Sequence, residues 1–461
     1  MTPLARPAEP GGALTAPADG PAKLTLVGLV IYSLVSPAFL NWVGIPYDVP
    51  GGLILWKLHP GTYVIGLAHL WFLMQDNPLR TAVRAFGERP ALGLLGVVAT
   101  MLLVYSNLRY GPSGSAFVID SLLVPVLAGF TLLGASVEAR ALVFRVLLGL
   151  TLANGVIGIV EAVTQSRVVP YLIGDREVIE EFFRATALGG HPLSNSLRTA
   201  ITLCCALLFA HRPFVVSVLI GILLMSLLAF GSRAATILSG AFLAGWMALR
   251  LVGSVRTLAL NYRAVLFTIV ALAVVVGAVA AGLAVLNLGV RVIETFYWDR
   301  SANSRLLAFL VFDFVSPAEL LIGVSPARID ELLTILNTKT ALTDIENLWI
   351  LFILQFGVVA FLLLFGTLLA AIVSLVRQSP LPLKMAALLF LILISSNNSL
   401  AAKSQNLTLF MAILIGGRAV HELHRRKEEA PAASEAWPTV VAPTVWGPRA
   451  QPTLLRLPGQ A

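Results

Sequence analysis

The sequence predicts an all-α fold: a polytopic transmembrane bundle of about twelve helices with one large, partly helical outer loop. Three observations predict it. Of the 461 residues, 57% are hydrophobic and 12% are charged, against about 25% charged in an ordinary soluble domain. The apolar residues fall in continuous runs near the ~20 residues that cross a bilayer as a helix. The basic residues collect in alternate connections between those runs. A soluble chain this apolar would expose large greasy patches and aggregate. A soluble enzyme, a disordered protein and a nucleic-acid binder are therefore excluded. A transmembrane barrel is excluded as well, because its strands alternate over ~10 residues.

Residues 1–22 are rich in Pro, Ala and Gly, lack a basic start followed by an apolar core, and read as a disordered tail. The membrane domain follows over 23–426, and 427–461 read as a second disordered tail. The expected spans are 24–43, 61–75, 91–106, 115–135, 141–164, 193–210, 213–230, 233–250, 263–290, 347–376, 382–399 and 405–420. The adjacent Cys204 and Cys205 lie within an apolar run and read as two small core residues, with no disulfide framework or zinc site.

Charge placement orients the bundle. With the N-terminus cytoplasmic, the inner side holds Lys23, Arg80, Arg84, Arg89, Arg140, Arg145, Arg212, Arg250, Arg256, Arg263, Arg377, Lys384, Arg418, Arg425, Arg426 and Lys427. The short outer loops hold only Lys57, Arg109, Arg233 and Lys403. Basic residues favour the cytoplasmic side, so both termini are expected there. The net charge of +8 thus reports orientation.

Two long loops, 165–192 and 291–346, fall outside, and long loops in compact proteins are often functional. Within the second, 305–315 suits an interfacial helix and 327–336 an amphipathic one, with a turn at Gly323, Ser325 and Pro326 between them. This loop is expected to cap the outer face. The first loop carries alternating charges and then Arg184, ahead of Gly189-Gly190-His191-Pro192. Asp120, Asn154, Glu161 and Arg198 lie within apolar runs, where polar groups often mark function. Interfacial pairing is the plainer role for Glu161 and Arg198. Arg233 sits in a tight outer turn, and Glu346-Asn347 opens a run directly after the large loop. Glu346 suits either a helix-terminal carboxylate or a general base. Several arginines on the side that holds Glu346 suit a lipid-borne diphosphate, because guanidinium binds phosphate oxygens bidentately.

These motifs resemble the O-antigen ligase and O-antigen polymerase superfamily of bacterial envelope proteins, over roughly residues 60–420. Arg184 with Gly190-His191-Pro192, Ser232-Arg233, Ser304-Arg305 before Gly323, and Glu346-Asn347 ahead of Gly357 each resemble a family motif. The ligases carry His where this chain has Glu346, so a polysaccharide polymerase fits better than a lipid A-core ligase. The resemblance implies a metal-independent glycosyltransferase of the inner membrane without cofactors, acting at the periplasmic face on undecaprenyl-diphosphate-linked oligosaccharides. It implies Glu346, Arg305 and Arg233 as catalytic residues, and Arg184, His191, Asn347 and Arg198 as substrate-binding residues. Implied partners are membrane lipid and a chain-length regulator and flippase of the same pathway. A ligase delivering finished glycan to an acceptor is the alternative within the family. A lipid-linked sugar flippase is the alternative of another class, and it would place its polar residues near the bilayer midplane.

Overall fold

The computed structural model describes residues 19–48, 53–173, 176–177, 183–256, 306–340, 347–396 and 403–434, with the isolated positions 269–270, 273, 277, 280, 342, 345 and 400. The expected span 263–290 and the site residues Arg305 and Glu346 lie outside the described residues, apart from those isolated positions. Elsewhere the chain is helical, except for one antiparallel pair of two-residue strands, β1 (Leu172–Ile173) and β2 (Arg176–Glu177).

The helices follow the apolar runs closely. They are α1 (Asp19–Leu34), α2 (Pro37–Trp42), α3 (Pro60–Leu73), α4 (Pro78–Glu88), α5 (Pro90–Tyr110), α6 (Pro112–Val118), α7 (Val124–Leu133), α8 (Val137–Thr164), α9 (Pro192–Ala206), α10 (Pro213–Phe230) and α11 (Arg233–Arg256). Further along the chain come α12 (Pro317–Ile322), α13 (Pro326–Thr340), α14 (Leu348–Val376), α15 (Leu381–Ser395) and α16 (Asn406–Ser434). Among the described residues, seven helices are long and apolar enough to cross a membrane. The fold among the described residues is therefore an all-helical bundle fit for a membrane, with seven such helices against the twelve expected, one of which, 263–290, falls outside them. The difference lies partly in length. The runs at 24–43, 61–75 and 382–399 form helices of 16, 14 and 15 residues, short of the ~20 that span a bilayer upright.

Proline sets many boundaries. The first run breaks at Ser36-Pro37, where Pro37 starts α2 and the Ser36 hydroxyl accepts from Phe39 N at 3.1 Å. Between α6 and α7 the helix widens into a π-turn over Ile119–Leu123. Such turns often accompany functional sites, and this one carries Asp120.

The bundle has two polar ends. At one end α1, α5 and α8 finish while α3, α9, α11, α14 and α16 begin. The same end gathers Asp120, Arg184, Arg198 and the 306–340 segment. At the other end Asp19 accepts from Ser136 N and Oγ, both at 2.9 Å. There also Arg418 donates to Gln378 at 3.1 Å, and His211 stacks on His424 with ring centroids 4.0 Å apart. Between the ends one core runs through the helices, including both cysteines, buried as expected.

The 306–340 segment forms a cap with its own small core. Segment 308–314 is a 3-10 helix, and α13 supplies Leu332 and Leu336, both fully buried. They pack with Val311, Val324, Ile350 and Leu354, so the cap sits on the first turns of α14. Ser316 and Glu319 form a capping box on α12. Arg109 clamps the cap to α5, donating to the carbonyls of Ile322 at 2.9 Å and Gly323 at 2.8 Å. Tyr110 donates to Val324 O at 2.7 Å. Gly357 interrupts α14 with φ +82° and ψ 164°. The Leu321 carbonyl lies where a Cβ would stand, so only glycine lets α12 touch α14 there.

Candidate functional site

The candidate site is built on the end of α8, the loop after it, and the first turns of α9 and α16. Glu161 is a loop clamp. Its two carboxylate oxygens accept from Val168 N at 2.6 Å, Thr186 N at 2.8 Å and Ala187 N at 2.8 Å. Two turns deeper, Asn154 accepts from Leu188 N at 3.0 Å and donates to Asn195 Oδ1 at 3.2 Å. Asn195 in turn donates to Thr186 O at 2.5 Å. Glu161 thus serves pairing, the plainer of its expected roles, and Asn154 does the same beside it. They convert a polar loop into a fixed one, with Ala185 and Ala187 fully buried. Gly190, at φ +68°, turns the chain against Ser36 and Ala38, and a Cβ there would lie 2.5 Å from Ser36 Oγ.

This clamp presents Arg184 and His191. The Arg184 guanidinium stands 6.0 Å from the Tyr171 ring centroid, and Arg167 stands 5.8 Å from it. Arg167 also donates to the Arg184 carbonyl at 3.3 Å. The Tyr171 and His191 rings meet edge to face at 5.5 Å. Burial, then the charges of Arg184 and Arg198, pushes the His191 imidazole down to about 4. It is neutral at pH 7, and its Nδ1 is sealed from solvent without a hydrogen-bond partner. Two turns along α9, Arg198 donates from Nε to Asn406 Oδ1 at 3.0 Å. Asn406 donates in turn to Ser194 Oγ at 3.3 Å. Arg198 faces a small hollow with Ser33, Thr151 and Asn154. Among the described residues no carboxylate forms an ion pair with Arg198. Arg198 is half-buried, and a cation withdrawn from water is stabilised by such a partner.

Next to this cluster lies a second polar knot around Asp120. Its carboxylate accepts from Tyr47 OH at 2.6 Å, Thr62 Oγ1 at 2.5 Å and His59 N at 3.1 Å. The Lys403 ammonium sits 4.4 Å from the Tyr47 ring centroid and donates to the Tyr47 carbonyl. Ser404 N donates to Ser121 Oγ at 2.9 Å, which ties the start of α16 to the π-turn.

Arg184 and His191 therefore meet across the Tyr171 ring, and Arg198 lies two turns further along α9. Arg233 opens α11, half-buried, after the turn at Gly231. Ala185 N donates to Ala229 O at 3.1 Å, so the Arg184 loop rests on the end of α10 that leads into that turn. Asn347 caps α14, its Oδ1 accepting from Trp349 N at 3.0 Å and Ile350 N at 3.2 Å. That oxygen is spent on the helix, so Asn347 positions the chain next to Glu346. Tyr171, Arg167 and Asn406 were not legible as site residues. Tyr171 and Arg167 lie in a loop without periodicity, and Asn406 joins only because α16 returns beside α9.

No protein-family model, curated protein or solved structure matches the chain.

Proposed function

We propose that the chain is an integral-membrane glycosyltransferase that polymerises undecaprenyl-diphosphate-linked oligosaccharide repeat units, for an exopolysaccharide, a capsule or an O-antigen. The observation that carries this reading is the Arg198 guanidinium, half-buried and without a carboxylate partner among the described residues, two turns along α9 from an imidazole whose Nδ1 has no hydrogen-bond partner. A diphosphate offers such a guanidinium several acceptor oxygens. On this reading the cluster faces the periplasm of a bacterial inner membrane, and both termini are cytoplasmic.

The donor is a growing glycan on undecaprenyl diphosphate, and the acceptor is the non-reducing-end hydroxyl of another lipid-linked unit. The acceptor oxygen bonds to the donor anomeric carbon as the bond from that carbon to the diphosphate oxygen breaks. The hydroxyl proton passes to Glu346, and undecaprenyl diphosphate departs with the electron pair. Arg233 and Arg305 stabilise the charge that builds on the leaving diphosphate. Arg184, His191 and Arg198 hold the lipid-linked substrate, and Asn347 keeps Glu346 in register. Glu346→Ala and Arg305→Ala should each abolish polymer while protein levels stay unchanged. Normal-length polymer from both variants would sink the assignment. Unattached long chains from a deletion strain would instead favour a ligase, and single repeat units the polymerase. Translocation of lipid-linked sugar without bond formation would make it a flippase.

A further inference from the structure

At the end of the bundle away from the candidate site, α4 connects α3 to α5. It is strongly amphipathic, and none of its residues is buried. Its apolar stripe includes Leu79 and Val83, 74% and 64% exposed. Its opposite face carries Arg80 and Arg84, and Arg89 follows directly. A helix of this kind lies in the plane of the interface, apolar side down and basic side among the headgroups. Phe86 pins it, stacking on Phe130 with centroids 5.8 Å apart.

Beneath α4 is a cavity of about 340 Å³, within the ~300–1,000 Å³ usual for a ligand site. Phe72, Ala82, Ala85, Val97, Leu127 and Phe130 are among its walls. Its polar lining groups pair internally: His69 with Thr131 at 3.1 Å, and Thr100 with Gly96 O at 2.8 Å. The occupant is therefore hydrocarbon over this depth. The cavity reaches Met101, eleven residues beyond the start of α5, which is roughly 16 Å along that helix, and Met101, 63% exposed, opens it to the outside of the bundle. That depth suits an acyl chain entering from the interface. Arg84 pairs with Glu88 at 2.8 Å. Among the described residues, Arg80 and Arg89 form no ion pair with a carboxylate.

We infer that this cavity binds one acyl chain of an anionic phospholipid, whose phosphate is held at Arg80 and Arg89 on the roof helix. The site is independent of the chemistry at the opposite end of the bundle.

The test uses the full-length protein in detergent with matched dioleoyl phosphatidylglycerol and dioleoyl phosphatidylcholine, read by native mass spectrometry. A basic residue near an anionic headgroup is worth about fivefold in binding. Wild type should prefer phosphatidylglycerol, and Arg80→Gln with Arg89→Gln should lower that preference roughly twenty-five-fold. Ala85→Trp, which fills the cavity, should reduce retention of both lipids. A phosphatidylglycerol carrying a photoreactive acyl chain should label peptides of α4, α5 and α7 in wild type, a readout that needs no variant to fold. Equal retention of the two lipids by wild type, or labelling confined to other helices, would overturn the inference. So would displacement of phosphatidylglycerol by equimolar undecaprenyl phosphate, which would make the isoprenoid the occupant.

Discussion

Glu161→Gln should loosen the loop that carries Arg184 and His191 without unfolding the bundle. The carboxylate holds three backbone N–H groups, at 2.6, 2.8 and 2.8 Å. An amide offers one oxygen in place of two. If that oxygen keeps Thr186 and Ala187, the amide nitrogen faces Val168 N, and that donor loses its partner. An unsatisfied, partly buried N–H costs about 1–3 kcal/mol. The two remaining bonds fall from charge-assisted to neutral strength, about another 1 kcal/mol together. The sum is roughly 2–4 kcal/mol, confined to the loop because Asn154 and Asn195 still hold Leu188 and Thr186. Hydrogen exchange is the assay. Peptides spanning 183–191 should exchange about 30- to 1,000-fold faster in the variant, while peptides of α10 and α14 keep wild-type protection. Unchanged protection of 183–191 would refute the clamp. Uniform loss across the bundle would show that Glu161 supports the core instead.

Three further outcomes follow from particular contacts. Gly357→Ala should cost several kcal/mol, roughly 1–3 from its backbone region alone, and should detach the cap; protease nicking within 306–340 reads this. Arg109→Gln removes two bonds to the cap carbonyls and leaves Tyr110 in place, so nicking should rise less than in Gly357→Ala. His191 is held down to about 4 in the fold, against about 6.5 when free. Its contribution to stability is therefore complete above pH 6.5 and is lost as pH falls toward 4, since only the unfolded chain binds that proton. The thermal midpoint of wild type should drop over this window more than that of His191→Gln, and parallel curves would contradict the assignment.

Composition and run length were enough to read a helical membrane bundle, because burying apolar surface in lipid leaves the helix as the economical way to satisfy the backbone. Several of the runs form helices shorter than ~20 residues. Ser36-Pro37 splits the first run, which local propensity signals but hydropathy averages away. The amphipathic helix of the cap was legible from Leu332, Leu333 and Leu336 among charges. The grouping of Arg184 with His191 was legible from closeness in sequence, and Arg198 follows His191 by two helical turns. The plainer reading of Glu161 prevailed for a reason the sequence lacks: its partners, Thr186 and Ala187, are twenty-five or more residues away in a loop. Likewise Tyr47 and Thr62 reach Asp120 only through the packing of α3 beside the π-turn. Asn347 reads as a helix cap once the start of α14 is known.

Reconstitution with a synthetic undecaprenyl-diphosphate-linked repeat unit tests the central proposal most directly. Purified wild type in liposomes, given this single substrate, should convert it to a ladder of longer lipid-linked glycans and release undecaprenyl diphosphate in equal number to the bonds formed. Arg198→Met, with the same thermal midpoint, should form no ladder. A wild-type preparation that leaves the unit unextended, or an Arg198→Met ladder of wild-type length, would contradict the assignment of this cluster to a lipid-diphosphate polymerase.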